Sequence, residues 1–358
     1  MPKIFGAPSR YLQGPGLIEE IGSHAKSLGS RAVLITDRIV ADIIGEKMQR
    51  SCKQAEVSIE ILCFEDELTP AKVEKLSIKA KQFKPDIIIA GGGGKAIDAG
   101  KAVCHHLKTR LITVPTAAST DAPTSKNYVL YDDAHQIALV GHLPTNPDIV
   151  LVDTTILAHA PVDLLRFGIG DSISKKFEAR QCFRANGTNM FGGHPTRAGL
   201  AIADACFKIL QEDAETALAT AGTGIVTPEF DRVTEAVILL SGLGFESGGL
   251  SLAHALTRGF SILPGAMSAP HGYQVAVGLL VQLSLETGSE QEHKEIWDLY
   301  VALKLPRTLA DLGCTHQDNQ TLGEVASRTL AAPHAANFER KLTLDELIAA
   351  LLNPAPKH

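Results

Sequence analysis

The 358-residue chain has no CxxC pair, no long basic run and no stretch of about 18 uninterrupted apolar residues. Each absence closes off a class of protein. The six cysteines, Cys52, Cys63, Cys104, Cys182, Cys206 and Cys314, mostly lie in apolar contexts and show no disulfide framework. They read as buried free thiols in a reducing compartment. The net charge of −6, without a basic cluster, argues against nucleic acid as a partner. No segment qualifies as a spanning helix, so no membrane is expected. The opening Met1-Pro2-Lys3-Ile4-Phe5-Gly6 lacks the apolar core of a signal peptide. A cytoplasmic location is the expectation. What is present is ordinary for a globular enzyme: 45% hydrophobic and 21% charged residues, in a chain long enough for two domains.

The first half alternates between two periodicities. Helical spacing over 17–28, 39–54 and 70–83 is interleaved with short apolar runs at 32–36, 57–63, 86–90, 111–114 and 148–152. Thr69-Pro70 is an N-cap followed by proline at the first helical position. Continuous apolar strands separated by helices predict a parallel sheet covered on both faces. A hairpin is expected from Asn127–Tyr131 and Gln136–Val140, turning at Asp132-Asp133. After about residue 160 strand patterns stop, and helices are predicted at 196–221, 228–242, 271–286, 290–303 and 343–352. The expectation is an α/β domain over 1–160 and an all-helical domain over 161–358, with ligands bound in a crevice between them.

Four places carry chemistry. Gly91 to Gly94 separate a strand from a helix that opens at Lys95. Glycine lets a phosphate approach the backbone, and a helix N-terminus offers free N–H groups and a positive dipole. The run is neither a GxGxxG nor a P-loop, since Ala96 stands where Ser or Thr would follow the lysine. Pyrophosphate binding is favoured over a plain flexible turn. Thr116, Ser119, Thr120 and Asp121 crowd polar groups at the carboxyl end of a buried strand, where such sheets bind ligands. A loop satisfied by its own turn bonds is the alternative. Asp37 ends the 32–36 strand, where an acidic side chain can hold ribose hydroxyls or simply be solvated. Finally, Asp171, His254 and His271 sit on apolar or glycine-rich rims. Singly, His254 reads as a core histidine and Asp171 as a helix cap. Together, two imidazoles and a carboxylate suit a zinc-class cation with one position open for substrate.

At these residues the chain resembles the iron-containing (group III) alcohol dehydrogenase superfamily, and within it the glycerol dehydrogenase branch. The resemblance rests on Ser9–Gly14, Gly92–Asp98, Pro115–Pro123, Asn146–Asp153, Gly168–Asp171, Phe177–Ala179 and Ser241–Leu250, and spans roughly the first 290 residues. It implies a Rossmann-like N-terminal domain and a helical metal-binding domain, the architecture shared with dehydroquinate synthase. It implies NAD contacts at Asp37, Gly93, Gly94, Lys95, Asp98, Thr116, Ser119 and Tyr131. The metal ligands would be Asp171, His254 and His271, holding zinc, with iron or manganese also compatible. Asp121 would touch the substrate and Phe245 would line its pocket. The implied reaction is NAD-dependent oxidation of a secondary alcohol of a small polyol or diol. The metal acidifies the hydroxyl and hydride passes to the nicotinamide. A homo-oligomer is implied, octameric by resemblance. Acidic Asp37 favours NAD over NADP.

The chain departs from this pattern near the metal. Leu256-Thr257-Arg258-Gly259 replaces a segment that usually carries histidine, and Tyr273 replaces the acidic residue usual after His271-Gly272. Lys126-Asn127-Tyr128 stands where smaller or apolar residues are usual in the hairpin. Arg258 adds a cation able to bind carboxylate or phosphate. A hydroxy acid or phosphorylated polyol is therefore an alternative substrate. Two further alternatives are a lyase of the dehydroquinate synthase type and a non-catalytic NAD-binding regulator.

Overall fold

In a computed structural model describing residues 1–65, 68–133, 137–315 and 318–356, contacts gather into two units. One comprises Ala7–Leu165 and Thr220–Gly242; the other comprises Met1–Gly6, Arg166–Ala219 and Leu243–His358.

The first unit is built on eight strands: β1 (Arg10–Gly14), β2 (Arg31–Thr36), β3 (Ser58–Cys63), β4 (Ile87–Gly92), β5 (Arg110–Pro115), β6 (Asn127–Tyr131), β7 (Ile137–His142) and β8 (Ile149–Asp153). Six form one sheet in the order β1-β8-β5-β4-β2-β3, and every neighbouring pair is parallel. Interleaved with these strands or directly following them are the helices α1 (Ile21–Lys26), α2 (Arg38–Gln54), α3 (Pro70–Gln82), α4 (Gly94–Leu107) and α5 (Thr154–Ala158).

The continuous apolar strands follow from double coverage. Successive side chains point to opposite faces. Ala32, Leu34, Ile87, Ile89 and Ile112 pack on Ile21 and Ala25 of α1 and Val40, Ile44 and Met48 of α2. Their neighbours Val33, Ile35, Ile88, Ala90 and Leu111 pack on Val73, Leu76 and Ala80 of α3 and Ile97 and Val103 of α4. The α3 start matches its prediction: Thr69 Oγ1 accepts the Lys72 N–H at 3.3 Å, and Pro70 is the first helical residue.

Some local expectations are revised. The helical pattern over 17–28 divides into a 3₁₀ turn at Leu17–Glu20 and the short α1. Edge strand β1 was not anticipated, because Arg10-Tyr-Leu-Gln-Gly14 is neither alternating nor continuously apolar; it pairs with β8 only. The hairpin β6–β7 forms its own antiparallel sheet, with a register shift between Leu130 and Tyr131. The second strand ends at His142 rather than Val140, and Gln136, its expected first residue, lies outside the described residues.

Beyond α5 the chain is helical: α6 (Val162–Arg184), α7 (Arg197–Thr220), α8 (Pro228–Glu235), α9 (Ser241–Gly248), α10 (Leu252–Phe260), α11 (Pro264–Ser268), α12 (His271–Leu285), α13 (Glu290–Leu303), α14 (Asn319–Ala331) and α15 (Leu344–Leu352). The expected helix over 228–242 contains a π-helical turn at Ala236–Leu240, a feature frequent at functional sites. Thr124 Oγ1 donates to the Ile238 carbonyl there at 2.9 Å. The core of the second unit joins Leu252, Leu256 and Phe260 of α10 to Val277 and Val281 of α12, Val325 of α14 and Leu347 of α15. Among the described residues, no single helix is long and apolar enough to cross a membrane.

Candidate active site

Asp171, His254 and His271 converge in the second unit, with one ligand atom from each lying within 4.8 Å of the others. Asp171 Oδ1 is the hub. It lies 3.3 Å from His254 Nε2 and 3.9 Å from His271 Nε2. Asp171 caps no helix; it sits mid-way along α6 and is buried. His271 is the first residue of α12 and exposes 55% of its side chain, so the cluster has an open side.

Sequence places these groups through close helix packing. A Cβ on Gly272 would fall 1.8 Å from the Phe167 carbonyl oxygen, and one on Gly170 would fall 2.9 Å from the Gly272 oxygen. Only glycine allows α12 and α6 to approach so nearly. That approach brings His271 to Asp171.

Two residues that the sequence reading passed over complete the cluster. Lys175 and Glu178 follow Asp171 by four and seven positions on α6, so all three share one helix face. Glu178 Oε1 accepts the backbone N–H groups of Ser251 at 2.8 Å and His254 at 3.0 Å, capping α10. Its Oε2 lies 2.5 Å from His254 Nδ1. With Nδ1–H donating to Glu178, the lone pair of Nε2 faces Asp171. Lys175 Nζ, itself fully buried, donates to Asp171 Oδ1 at 2.6 Å and to His254 Nε2 at 3.1 Å. Phe245 is buried beside it, with its ring centroid 5.3 Å from Nζ. The spacing of Asp171, Lys175 and Glu178 was the available signal.

Electrostatics follow from this arrangement. Burial would raise the Asp171 carboxyl, but the Lys175 ammonium first, and the two imidazoles beside it, outweigh burial and hold the group well below the usual carboxylate range. Burial likewise opposes ionised Glu178, yet His254 and Lys175 lower it to about 2. For His254, burial works against the charged ring, and Glu178 overcomes it to raise the pKa.

The departures from pattern take different places. Arg258 is exposed on α10, one turn beyond His254. Thr257 Oγ1 donates to the His254 carbonyl at 2.8 Å. Tyr273 stacks edge-on against Phe167, with centroids 4.8 Å apart. The expectation that acid is missing beside the metal is revised: Glu178 supplies one from α6.

The first unit holds the other predicted residues. β4 extends through Gly91 and Gly92, and Gly93 is the N-cap of α4. Gly92 has φ of 136°, a conformation that favours glycine. A Cβ on Gly93 would meet nothing within 4 Å, so the backbone there is open above the helix N-terminus. Gly94 begins α4, and Lys95 beside it is exposed. Asp37 caps α2, accepting the Val40 N–H at 2.9 Å. Both Asp37 and Lys95 line a hollow of about 320 Å³ with Arg38, Ile39, Phe64 and Glu65. Asp98 accepts the Val129 N–H at 3.1 Å. Thr116 is buried, and its N–H bonds to the Gly92 carbonyl at 3.2 Å. Ser119 and Tyr131 are half-buried. Asp121 is buried, and its Oδ2 accepts from Ser241 Oγ at 2.6 Å. Buried Lys101, also unforeseen, ties down the loop that follows. It donates to the carbonyls of Ala122 at 2.5 Å and Asn127 at 2.6 Å.

Comparison with known proteins decides the family. Residues 8–154 match the family described as iron-containing alcohol dehydrogenase. Glycerol dehydrogenase of Escherichia coli O6:H1 is 38% identical over 353 residues, covering 98% of this chain and 96% of its own. The chain belongs to the iron-containing alcohol dehydrogenase family. Glycolaldehyde reductase of Halobacterium salinarum is 39% identical over 91% of this chain and 89% of its own. The crystal structure of glycerol dehydrogenase from Schizosaccharomyces pombe superposes with a TM-score of 0.93 at 32% identity, covering 98% of this chain and 90% of that one. The protein is therefore an oxidoreductase of the alcohol dehydrogenase type, with a small-molecule alcohol as substrate.

Proposed function

We propose that this member of the family is an NAD-dependent, metal-assisted dehydrogenase that oxidises a secondary alcohol of a small polyol or diol, the glycerol-to-dihydroxyacetone type of reaction. The observation that carries the reading is the cluster of Asp171, His254 and His271. One carboxylate and two imidazoles lie within 4.8 Å of one another, a donor set that fits zinc and also accommodates iron or manganese. Glycerol dehydrogenase relatives at this level of identity support the polyol.

In this reading Asp171, His254 and His271 hold the ion, which when bound supplies the positive charge that acidifies the substrate hydroxyl. Glu178 keeps the His254 ring turned with Nε2 toward the ligands. Exposed His271 marks the side from which substrate enters. Phe245 gives that pocket an apolar wall, and Asp121 hydrogen-bonds a substrate hydroxyl.

The NAD site is the α4 N-terminus. Gly93 and Gly94 carry the pyrophosphate, Lys95 adds a positive charge, and Asp37 binds the adenosine ribose. Asp98, Thr116, Ser119 and Tyr131 complete the NAD contacts. This assigns NAD binding to the α/β domain, 1–160, and metal binding to the helical domain, 161–358. The free thiols fit the cytoplasm, and the glycerol dehydrogenase resemblance suggests an octamer.

Arg258 supports a second reading on the same machinery. It is an exposed cation one turn from His254, suited to a carboxylate or phosphate on the substrate. The test is NADH formation by zinc-loaded protein across polyols, diols, hydroxy acids and polyol phosphates. Turnover of neutral polyols or diols that chelation abolishes and zinc restores is expected. No turnover on any alcohol would overturn the proposal. Loss confined to anionic substrates in Arg258→Ala would move the assignment to the second reading.

A further inference from the structure

Two of the three candidate ligand atoms already contact a charge of the protein's own. Lys175 Nζ lies 2.6 Å from Asp171 Oδ1 and 3.1 Å from His254 Nε2, the two atoms an ion would share. Its side chain is 1% exposed and that of Asp171 3%, so water does little to screen them. Glu178 turns the His254 ring so that Nε2 accepts from this ammonium. Phe245 stands beside the ammonium with its ring centroid 5.3 Å away.

We propose that Lys175 is a resident competitor for the metal site. Its ammonium satisfies Asp171 and His254 when no ion is present, and an incoming divalent cation must displace it from both. A divalent ion and an ammonium on the same carboxylate oxygen repel each other strongly at low dielectric. The protein therefore takes up metal more weakly than the same three ligands would without Lys175. Displacement exchanges one cation for another at Asp171 and breaks no covalent bond. Occupancy then depends on free metal concentration over a range where an unopposed site would stay full. The inference rests on the metal reading proposed above.

The experiment is equilibrium dialysis of the full chain against buffered free Zn2+, with bound metal counted per chain. Wild type is compared with Lys175→Met, which keeps the length and removes the charge. Lys175→Gln serves if the methionine variant is poorly folded. Lys175→Met combined with Asp171→Asn shows that the zinc counted is in this site. The expected result is half-saturation of the single variants at about tenfold lower free zinc than wild type, or lower still, with uptake lost in the double variant. Coincident curves for wild type and single variants overturn the proposal, as does failure of all of them to bind zinc. NADH formation by the same preparations separates this from the function. Shifted zinc curves without turnover count against the dehydrogenase and leave the competitor standing. Coincident curves with turnover do the reverse.

Discussion

Glu178 Oε2 lies 2.5 Å from His254 Nδ1, while its other oxygen accepts the backbone N–H of the same histidine at 3.0 Å. One carboxylate thus fixes both the start of α10 and the ring it presents. A glutamine here keeps one acceptor oxygen but turns an NH₂ group toward a donor. In Glu178→Gln, metal affinity and kcat/KM are expected to fall about 10–100-fold, the usual cost of losing such a partner. Glu178→Ala, which leaves buried N–H groups unmatched, is expected also to lose about 1–3 kcal/mol of stability. Zinc titration, steady-state kinetics and denaturant unfolding check the three effects.

The approach of α6 and α12 gives a second prediction. At Gly272 an added Cβ would meet the Phe167 carbonyl oxygen at 1.8 Å, and backbone cannot swing aside as a side chain can. Gly272→Ala is expected to cost about 1–3 kcal/mol and to move His271 from Asp171, cutting activity further than stability alone explains. Gly323, inside α14 with nothing within 4 Å of its Cβ position, is the control. There alanine is expected to add about 0.5–1 kcal/mol. Urea unfolding and kcat/KM for both variants decide the matter.

These elements differ in how openly the sequence displays them. The parallel sheet was legible because its central strands are buried on both faces, so 32–36, 87–90 and 111–114 read as unbroken apolar runs. The cluster of Asp171, His254 and His271 was legible because polar residues in apolar or glycine-rich settings stand out. Strand β1 was not, since an edge strand with one neighbour needs no apolar continuity. The extent of helix α6, which runs through Asp171 rather than starting after it, was not, since the face that matters carries Asp171, Ser174, Lys175 and Glu178, and a buried polar network removes the apolar stripe that marks a helix. Periodicity finds elements that bury carbon; it misses one whose buried face is built from paired charges and hydroxyls.

Asp98 makes the fold respond to pH. Burial raises its carboxyl to about 6, with Lys101 and the Val129 N–H opposing. A carboxyl whose folded pKa lies above its unfolded value of 3.8 favours the fold most below that value. The contribution is lost as pH climbs through about 6, where ionised Asp98 becomes a burden. A shift of this size corresponds to at most about 3 kcal/mol. Asp98→Asn removes the titration while keeping an oxygen for Val129. Without cofactor, the variant is expected to melt above wild type at pH 8, with the gap closing toward pH 4. Thermal unfolding across that range is the measurement, and a gap independent of pH would show that Asp98 is not its source.

Gly92 and Gly93 are adjacent but do different jobs, and alanine separates them. Gly92 has φ of 136°, and its Cβ would meet that of Ala96 at 2.7 Å. Alanine there is strained whatever binds, so Gly92→Ala is expected to lose about 1–3 kcal/mol of stability. Gly93 has φ of −76°, which any residue adopts, and open space where a Cβ would lie. Gly93→Ala therefore should fold as well as wild type. Its methyl group would stand above the α4 N-terminus, in the space where a phosphate must come close enough to accept from backbone N–H groups. If the pyrophosphate of NAD binds there, calorimetric titration of Gly93→Ala should show affinity for NAD at least about tenfold weaker, with the unfolding midpoint unchanged. Equal NAD affinity in a stable Gly93→Ala protein would remove the α4 N-terminus from the cofactor site. The Gly92 result would be untouched by that outcome, because its strain belongs to the fold and needs no ligand.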